Sequence, residues 1–146
     1  MIKTIIVDDE INAREFLEKL LIRYFPDKFI ILERCKNVDE ALIAIEKHNP
    51  DLVFLDVQMP KKNGFELIKE LKQVNFEIIF TTAHAQFAID AIKINALDYL
   101  LKPINYIDLL SAIKRFEKKS AQIKNDANLR LLIKNIDTGS SGYKSI

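Results

Sequence analysis

Glycine is scarce: Gly64, Gly139 and Gly142 are the only three in 146 residues. None follows the first apolar run, so the glycine-rich loop that cradles a nucleotide's phosphates is excluded. Cysteine is scarcer still, since Cys35 stands alone and no internal disulfide can form. It lies in the apolar stretch from Phe29 to Cys35, where a buried thiol in a reducing cytoplasm is the expectation. An excess of one charge is also missing. Against 21 Asp and Glu stand 22 Lys and Arg, and the net +1 offers no basic footprint for nucleic acid. No apolar run approaches the roughly 18 residues that a membrane span needs. Met1 to Val7 is too short for a secretion signal and runs directly into Asp8, Asp9 and Glu10. A cytoplasmic protein without membrane contact is expected.

What is present is a balance of 49% hydrophobic and 29% charged residues, suited to one globular domain with a short extension. Runs rich in β-branched and aromatic residues at 3–7, 29–35, 51–55, 78–82 and 98–101 predict five strands. Between them lie apolar residues at helical spacing: Phe16, Leu20 and Tyr24; Ala41, Leu42 and Ile45; Phe65, Ile68 and Leu71; Phe87, Ala88, Ala91 and Ile92. A fifth helical pattern carries Ile107, Leu110 and Ile113. Asn37 with Glu40 three residues on predicts a capping box, and Asn49-Pro50 predicts the end of the second helix. Strict alternation of strand and helix predicts an α/β fold: a doubly wound, five-stranded parallel sheet of order 2-1-3-4-5, flavodoxin-like. After Glu117 the pattern turns polar but stays helical, and the stretch from Asp137 to Ile146 holds two glycines and three serines. Residues 1–118 are therefore expected to form the domain, and 119–146 a helical extension and flexible linker.

In a sheet of this order, ligands bind at the switch point, beyond the carboxyl ends of the first and third strands. Asp8, Asp9 and Asp56 fall there. Asp8-Asp9 taken alone is a weak signal that reads first as an acidic helix cap. Three converging carboxylates, however, repel one another and resist desolvation unless a hard cation joins them, and oxygen-only ligation suits Mg2+. Such a site supports phosphoryl chemistry, with a carboxylate oxygen of Asp56 as nucleophile. Thr82 after the fourth strand and Lys102 after the fifth would supply a hydroxyl and an ammonium to the phosphoryl oxygens. Taken singly, each is an ordinary strand threonine or surface lysine, and it is their shared sheet edge that singles them out. Gly64 opens the third helix, where either a backbone angle barred to other residues or a plain turn would explain it.

Together, Asp8-Asp9, Leu55-Asp56-Val57-Gln58-Met59-Pro60 with Gly64, Thr82-Ala83 and Lys102-Pro103 resemble the receiver domain of bacterial two-component response regulators. The resemblance covers about residues 1–118 and all five site positions. It implies that Asp56 accepts a phosphoryl group from a sensor histidine kinase. It also implies that Asp9 and Asp56 ligate Mg2+ directly, with Asp8 acting through water and the Gln58 backbone carbonyl completing the set. Further implications are a Lys102-Pro103 bond that is often cis, and a Tyr99 that swings inward when Thr82 moves, although Tyr99 also reads as a half-buried strand aromatic. The resemblance adds a homodimer through the fourth helix, fifth strand and fifth helix on activation. His84, with no second histidine or cysteine at ligand spacing, reads as a loop residue that tunes phosphoryl lifetime.

The stretch Asn95-Ala96-Leu97-Asp98-Tyr99-Leu100-Leu101-Lys102-Pro103 is most similar to receivers of the LytTR class. On that resemblance these residues are a receiver with its linker, and DNA is reached only through a mostly β output domain beyond them. The alternative is a stand-alone receiver acting by protein contacts or as a phosphorelay intermediate. An aspartyl-phosphate hydrolase similar to the haloacid dehalogenases would carry a second aspartate where Gln58 stands. The expectation is therefore not an enzyme, with self-dephosphorylation at most slow.

Overall fold

In the computed structural model, which describes residues 1–139, strands and helices alternate along the chain. The strands are Ile2–Val7 (β1), Phe29–Cys35 (β2), Leu52–Asp56 (β3), Glu77–Thr82 (β4) and Asp98–Leu101 (β5). The helices are Ile11–Tyr24 (α1), Val38–His48 (α2), Gly64–Glu70 (α3), Ala88–Lys93 (α4) and Tyr106–Gly139 (α5), with a 3-10 turn at Ala85–Phe87 before α4. All strand pairs are parallel, in the order β2-β1-β3-β4-β5. The doubly wound sheet is thus as the sequence predicts.

β1 and β3 lie inside the sheet, and both are apolar on both faces: Ile5, Ile6 and Val7 and all of Leu52 to Leu55 are buried. Ile5, Val7, Val53, Leu55, Ile78 and Phe80 project to one face and form a continuous cluster with Val38, Ala41 and Ile45 of α2, Leu67 of α3 and Ala91 of α4. Tyr106, opening α5, meets Tyr24 and Phe25 at ring distances of 4.6 and 6.0 Å, so α1 and the start of α5 are neighbours.

Helix α2 starts as expected, with the Glu40 N–H donating to Asn37 Oδ1 at 2.8 Å. The returning bond differs from a capping box: Glu40 Oε1 accepts from the Lys36 N–H, one residue before the cap. Asn49 closes α2 in the left-handed region, at φ 49°.

Three helix faces differ from the predicted stripes. α1 buries Leu17 and Leu21, not Phe16 and Tyr24, which are exposed. Two adjacent apolar stripes run along this helix, and periodicity cannot tell which one the sheet takes. α5 buries Leu109, Ala112 and, as expected, Ile113 but leaves Ile107 exposed, and in α4 only Ala91 is buried while Ile92 is exposed.

The chain divides into two compact units, one from Met1 to Ala112 and one from Ile113 onward. The first holds the whole sheet. α5 continues through 137–139, and the rest of the expected linker, 140–146, lies outside the described residues.

Candidate functional site

The carboxyl ends of the strands bring the site together by register. Val7 of β1 pairs with Leu55 of β3, so the next residues, Asp8 and Asp56, leave the sheet side by side. The Asp8 N–H is held by the Cys35 carbonyl at 3.0 Å, and the Val57 N–H by the Thr81 carbonyl at 3.0 Å. On the far side the Lys102 N–H donates to the Thr82 carbonyl at 2.7 Å, which fixes where the Lys102 side chain begins. Carboxylate oxygens of Asp8, Asp9 and Asp56 lie within 4.8 Å of one another. Lys102 Nζ stands 2.7 Å from Asp8 Oδ2 and 3.5 Å from Asp56 Oδ2.

Asp8 and Asp56 are buried, and Asp9 is more open. Burial, the charge of Asp8 and the neighbouring Asp9 push the Asp56 carboxyl up to about 7, with Lys102 working against the rise. Burial alone would lower the Lys102 ammonium. Its hydrogen bond to Asp8 and the charges of Asp56 and Asp8 outweigh that and raise it. Once Asp56 ionises, three carboxylates against one ammonium leave two negative charges uncompensated, so the donor set fits one hard divalent cation. Asp8, Asp9 and Asp56 are the side chains that would hold it. Gln58 lies exposed in the loop after β3.

Thr82 is buried at the end of β4, and its Oγ1 accepts from the His84 N–H at 3.2 Å. The Tyr99 hydroxyl donates to the His84 carbonyl. Thr82 and Tyr99 are therefore joined through the main chain of one residue, by its N–H and its carbonyl in turn, and that residue reads, in sequence, as a plain loop histidine. Burial raises the Tyr99 phenol above its ordinary value, so it stays a donor.

Gly64 is needed for a reason other than a special backbone angle, since no described glycine has positive φ. A Cβ there would stand 2.5 Å from the Asp56 carbonyl oxygen and 3.0 Å from Leu55 Cγ. α3 thus begins against the backbone of Asp56, and the Gly64 N–H donates to the Val57 carbonyl at 2.9 Å. The Lys102-Pro103 bond is cis. Cys35 is free and buried, its thiol pushed up to about 12 chiefly by burial.

Sequence reasoning missed Arg14, whose Nη1 donates to the Asp8 carbonyl at 2.7 Å. A cation in the second turn of the helix after Asp8-Asp9 is the only signal there was. It also missed a cavity of about 240 Å³ beside Asp8 and Lys102, walled by Phe16, Leu17, Phe54, Pro103 and Ile104.

Residues 4–114 match the family model of the response regulator receiver domain. The chain is 39% identical over 127 residues to the sensory transduction protein LytT of Bacillus anthracis, covering 85% of this chain and 51% of that protein. It is 41% identical over 130 residues to the transcriptional regulatory protein BtsR of Salmonella typhi, covering 88% of this chain and 53% of that one. The chain spans about half the length of the curated relatives it matches. Among solved structures it is similar to the response regulator TrrA of Thermotoga maritima in complex with Mg(2+)-BeF, at a TM-score of 0.69 and 32% identity, covering 80% of this chain and 99% of that one.

Proposed function

Because the chain belongs to the response regulator receiver family, we propose that Asp56 accepts a phosphoryl group from a sensor histidine kinase and that this switches an output. The observation that carries the reading is the convergence of Asp8, Asp9 and Asp56 within 4.8 Å, with Lys102 closing the site. An Asp56 carboxylate oxygen forms a bond to phosphorus as the bond from phosphorus to the donor imidazole nitrogen breaks, the electron pair leaving with that nitrogen. A magnesium ion, when bound, neutralises charge on the transferring group. Lys102 neutralises charge from the opposite side. The cavity walled by Phe16, Pro103 and Ile104 gives the donor protein an apolar foothold beside Asp8 and Lys102. No carboxylate or imidazole stands where Gln58 does to activate water, so the acyl phosphate is lost slowly and the domain is not an enzyme.

The Thr82 hydroxyl turns from the His84 N–H toward the new phosphoryl oxygens, which offer it a stronger, charge-assisted bond. His84 also anchors the Tyr99 hydroxyl, so the change reaches β5 and α4. There Ile89, Ile92, Leu101 and Ile107 are exposed by 66, 75, 43 and 75%. This face suits a symmetric contact between two copies. Such a dimer brings together two output domains beyond residue 146, and the likeness to LytT favours a LytTR-type DNA-binding domain controlling transcription.

Incubation with acetyl phosphate and Mg2+, followed by intact mass and peptide mapping, is the test. One phosphoryl group on the peptide holding Asp56 is expected, and labelling elsewhere defeats the reading. Light scattering with a beryllofluoride mimic should show a doubled mass that Ile92→Asp and Tyr99→Ala each reduce. An unchanged mass would favour a receiver acting alone.

A further inference from the structure

Helix α1 begins without the usual support. The Glu10 side chain caps nothing, and the first turn of α1 holds no acidic residue. Yet the loop before this unsupported end carries two of the three site carboxylates, which repel each other and Asp56. Side chains on a helix lean toward its N-terminus, so a long one in the second turn can reach back to that loop. Arg14 does so. Its Nη1 donates to the Asp8 carbonyl at 2.7 Å. The other polar atoms of Asp8 are held from elsewhere: its N–H by Cys35, Oδ1 by the Glu10 N–H at 2.9 Å, and Oδ2 by Lys102. The Arg14 guanidinium is thus the side-chain tie from the body of α1 to the Asp8 main chain.

A neighbouring ion pair keeps that tie in place. Glu18 follows Arg14 by four residues, the spacing at which helical side chains of opposite charge pair. Both Glu18 oxygens are instead engaged by Arg34 of β2, through Nε and, at 2.7 Å, through Nη2. The Glu18 carboxylate is thus turned to β2, while the Arg14 guanidinium is turned to the loop.

We propose that Arg14 is a positioning residue for magnesium: it holds the Asp8-Asp9 main chain in the pose that lets both carboxylates converge with Asp56. This rests on the reading of those three residues as the metal's ligands. Arg14 itself touches neither metal nor phosphoryl group in this role. The proposal carries a sign that simple electrostatics lacks. Removing a cation near three carboxylates should tighten Mg2+ binding, whereas releasing the loop should weaken it.

Calorimetric titration with Mg2+ of the whole chain and of Arg14→Ala, Arg14→Lys and Lys19→Ala decides between them. Arg14→Ala should bind about fivefold to tenfold more weakly, the scale of one hydrogen bond. Arg14→Lys, which keeps the charge and a donor, should recover most of the affinity. Lys19, an exposed lysine on the same helix, should be dispensable. Amide exchange at Glu10 should quicken in Arg14→Ala, and its slower phosphorylation should recover at saturating Mg2+. Affinity that is unchanged or tighter in Arg14→Ala overturns the proposal. Should that variant fail to fold, a folded Arg14→Lys that binds Mg2+ within about twofold of the unaltered chain supports it, and one with the larger loss overturns it. Failure of the unaltered chain to bind Mg2+ is a different result and strikes the reading of the site itself.

Discussion

Helices α2 and α4 contribute to the same apolar cluster but are held very differently. α2 has 11 residues, a side-chain cap at Asn37, a left-handed stop at Asn49 and four buried residues. α4 has six, no side-chain cap and only Ala91 buried, while Ile89 and Ile92 face outward. Both are equally part of the fold, yet one is tied down and the other is attached mainly through a single alanine. A helix so lightly held can shift at small cost when the main chain of His84, one short turn before it, is disturbed. The α2 side is firmly held, and the α4 side is where the proposed switch would find the least resistance.

The largest expected effect breaks this contrast altogether. Asp56→Asn should abolish phosphoryl uptake, so that amide exchange in α4 no longer responds to acetyl phosphate; intact mass and exchange on the same samples check it. Gly64→Ala comes next, because its Cβ must displace the Asp56 backbone. A loss of about 1–3 kcal/mol in urea unfolding is expected, with labelling impaired as well.

An effect of intermediate size is the pH dependence of the acidic site. The folded Asp56 carboxyl titrates near about 7, against 3.8 for an ordinary aspartate. Between those values the folded, metal-free protein keeps a proton that the unfolded chain has released. The stability this provides is fully present below the lower value and is lost as pH rises through the upper one. Melting temperature should thus fall across that window, and Asp56→Asn should flatten the fall. Magnesium binding has the opposite sign, since it needs the ionised carboxylate. Its affinity should drop up to about tenfold per pH unit below 7, as calorimetry at about pH 6 and about pH 8 would show.

The smallest effects sharpen the comparison most directly. Asn37→Ala should cost about 1 kcal/mol through loss of the α2 cap, while Ile89→Ala in α4 should change stability by less than about 0.5 kcal/mol. Equal losses in urea unfolding would remove the distinction between a tied helix and a loose one.

Much of this could be read along the chain. The apolar runs of β1 and β3 and the strict alternation of elements set the sheet order, since parallel strands need crossovers of one hand. Strand-end positions singled out Asp8, Asp9, Asp56, Thr82 and Lys102, and register then brought Asp8 and Asp56 side by side and bonded Lys102 to the end of β4. The capping role of Asn37 was equally local.

Other features were decided by contact across the fold. Phe16 and Leu17 are both apolar and adjacent, and only the packing of α1 on the sheet determines that Leu17 is buried while Phe16 walls a cavity. The glycine at 64 is explained by the Asp56 carbonyl, eight positions away in sequence, and not by its own backbone angle. Arg14 and His84 act on or through main-chain atoms, which every residue carries and which therefore leave no trace in side-chain patterns. Sequence by itself determined which residues have the chemistry and which strand ends carry them, because periodicity and strand order are local or nearly so. Only tertiary structure decided which backbone groups hold those residues in place, because a main-chain donor or acceptor becomes specific only when folding sets a partner in front of it.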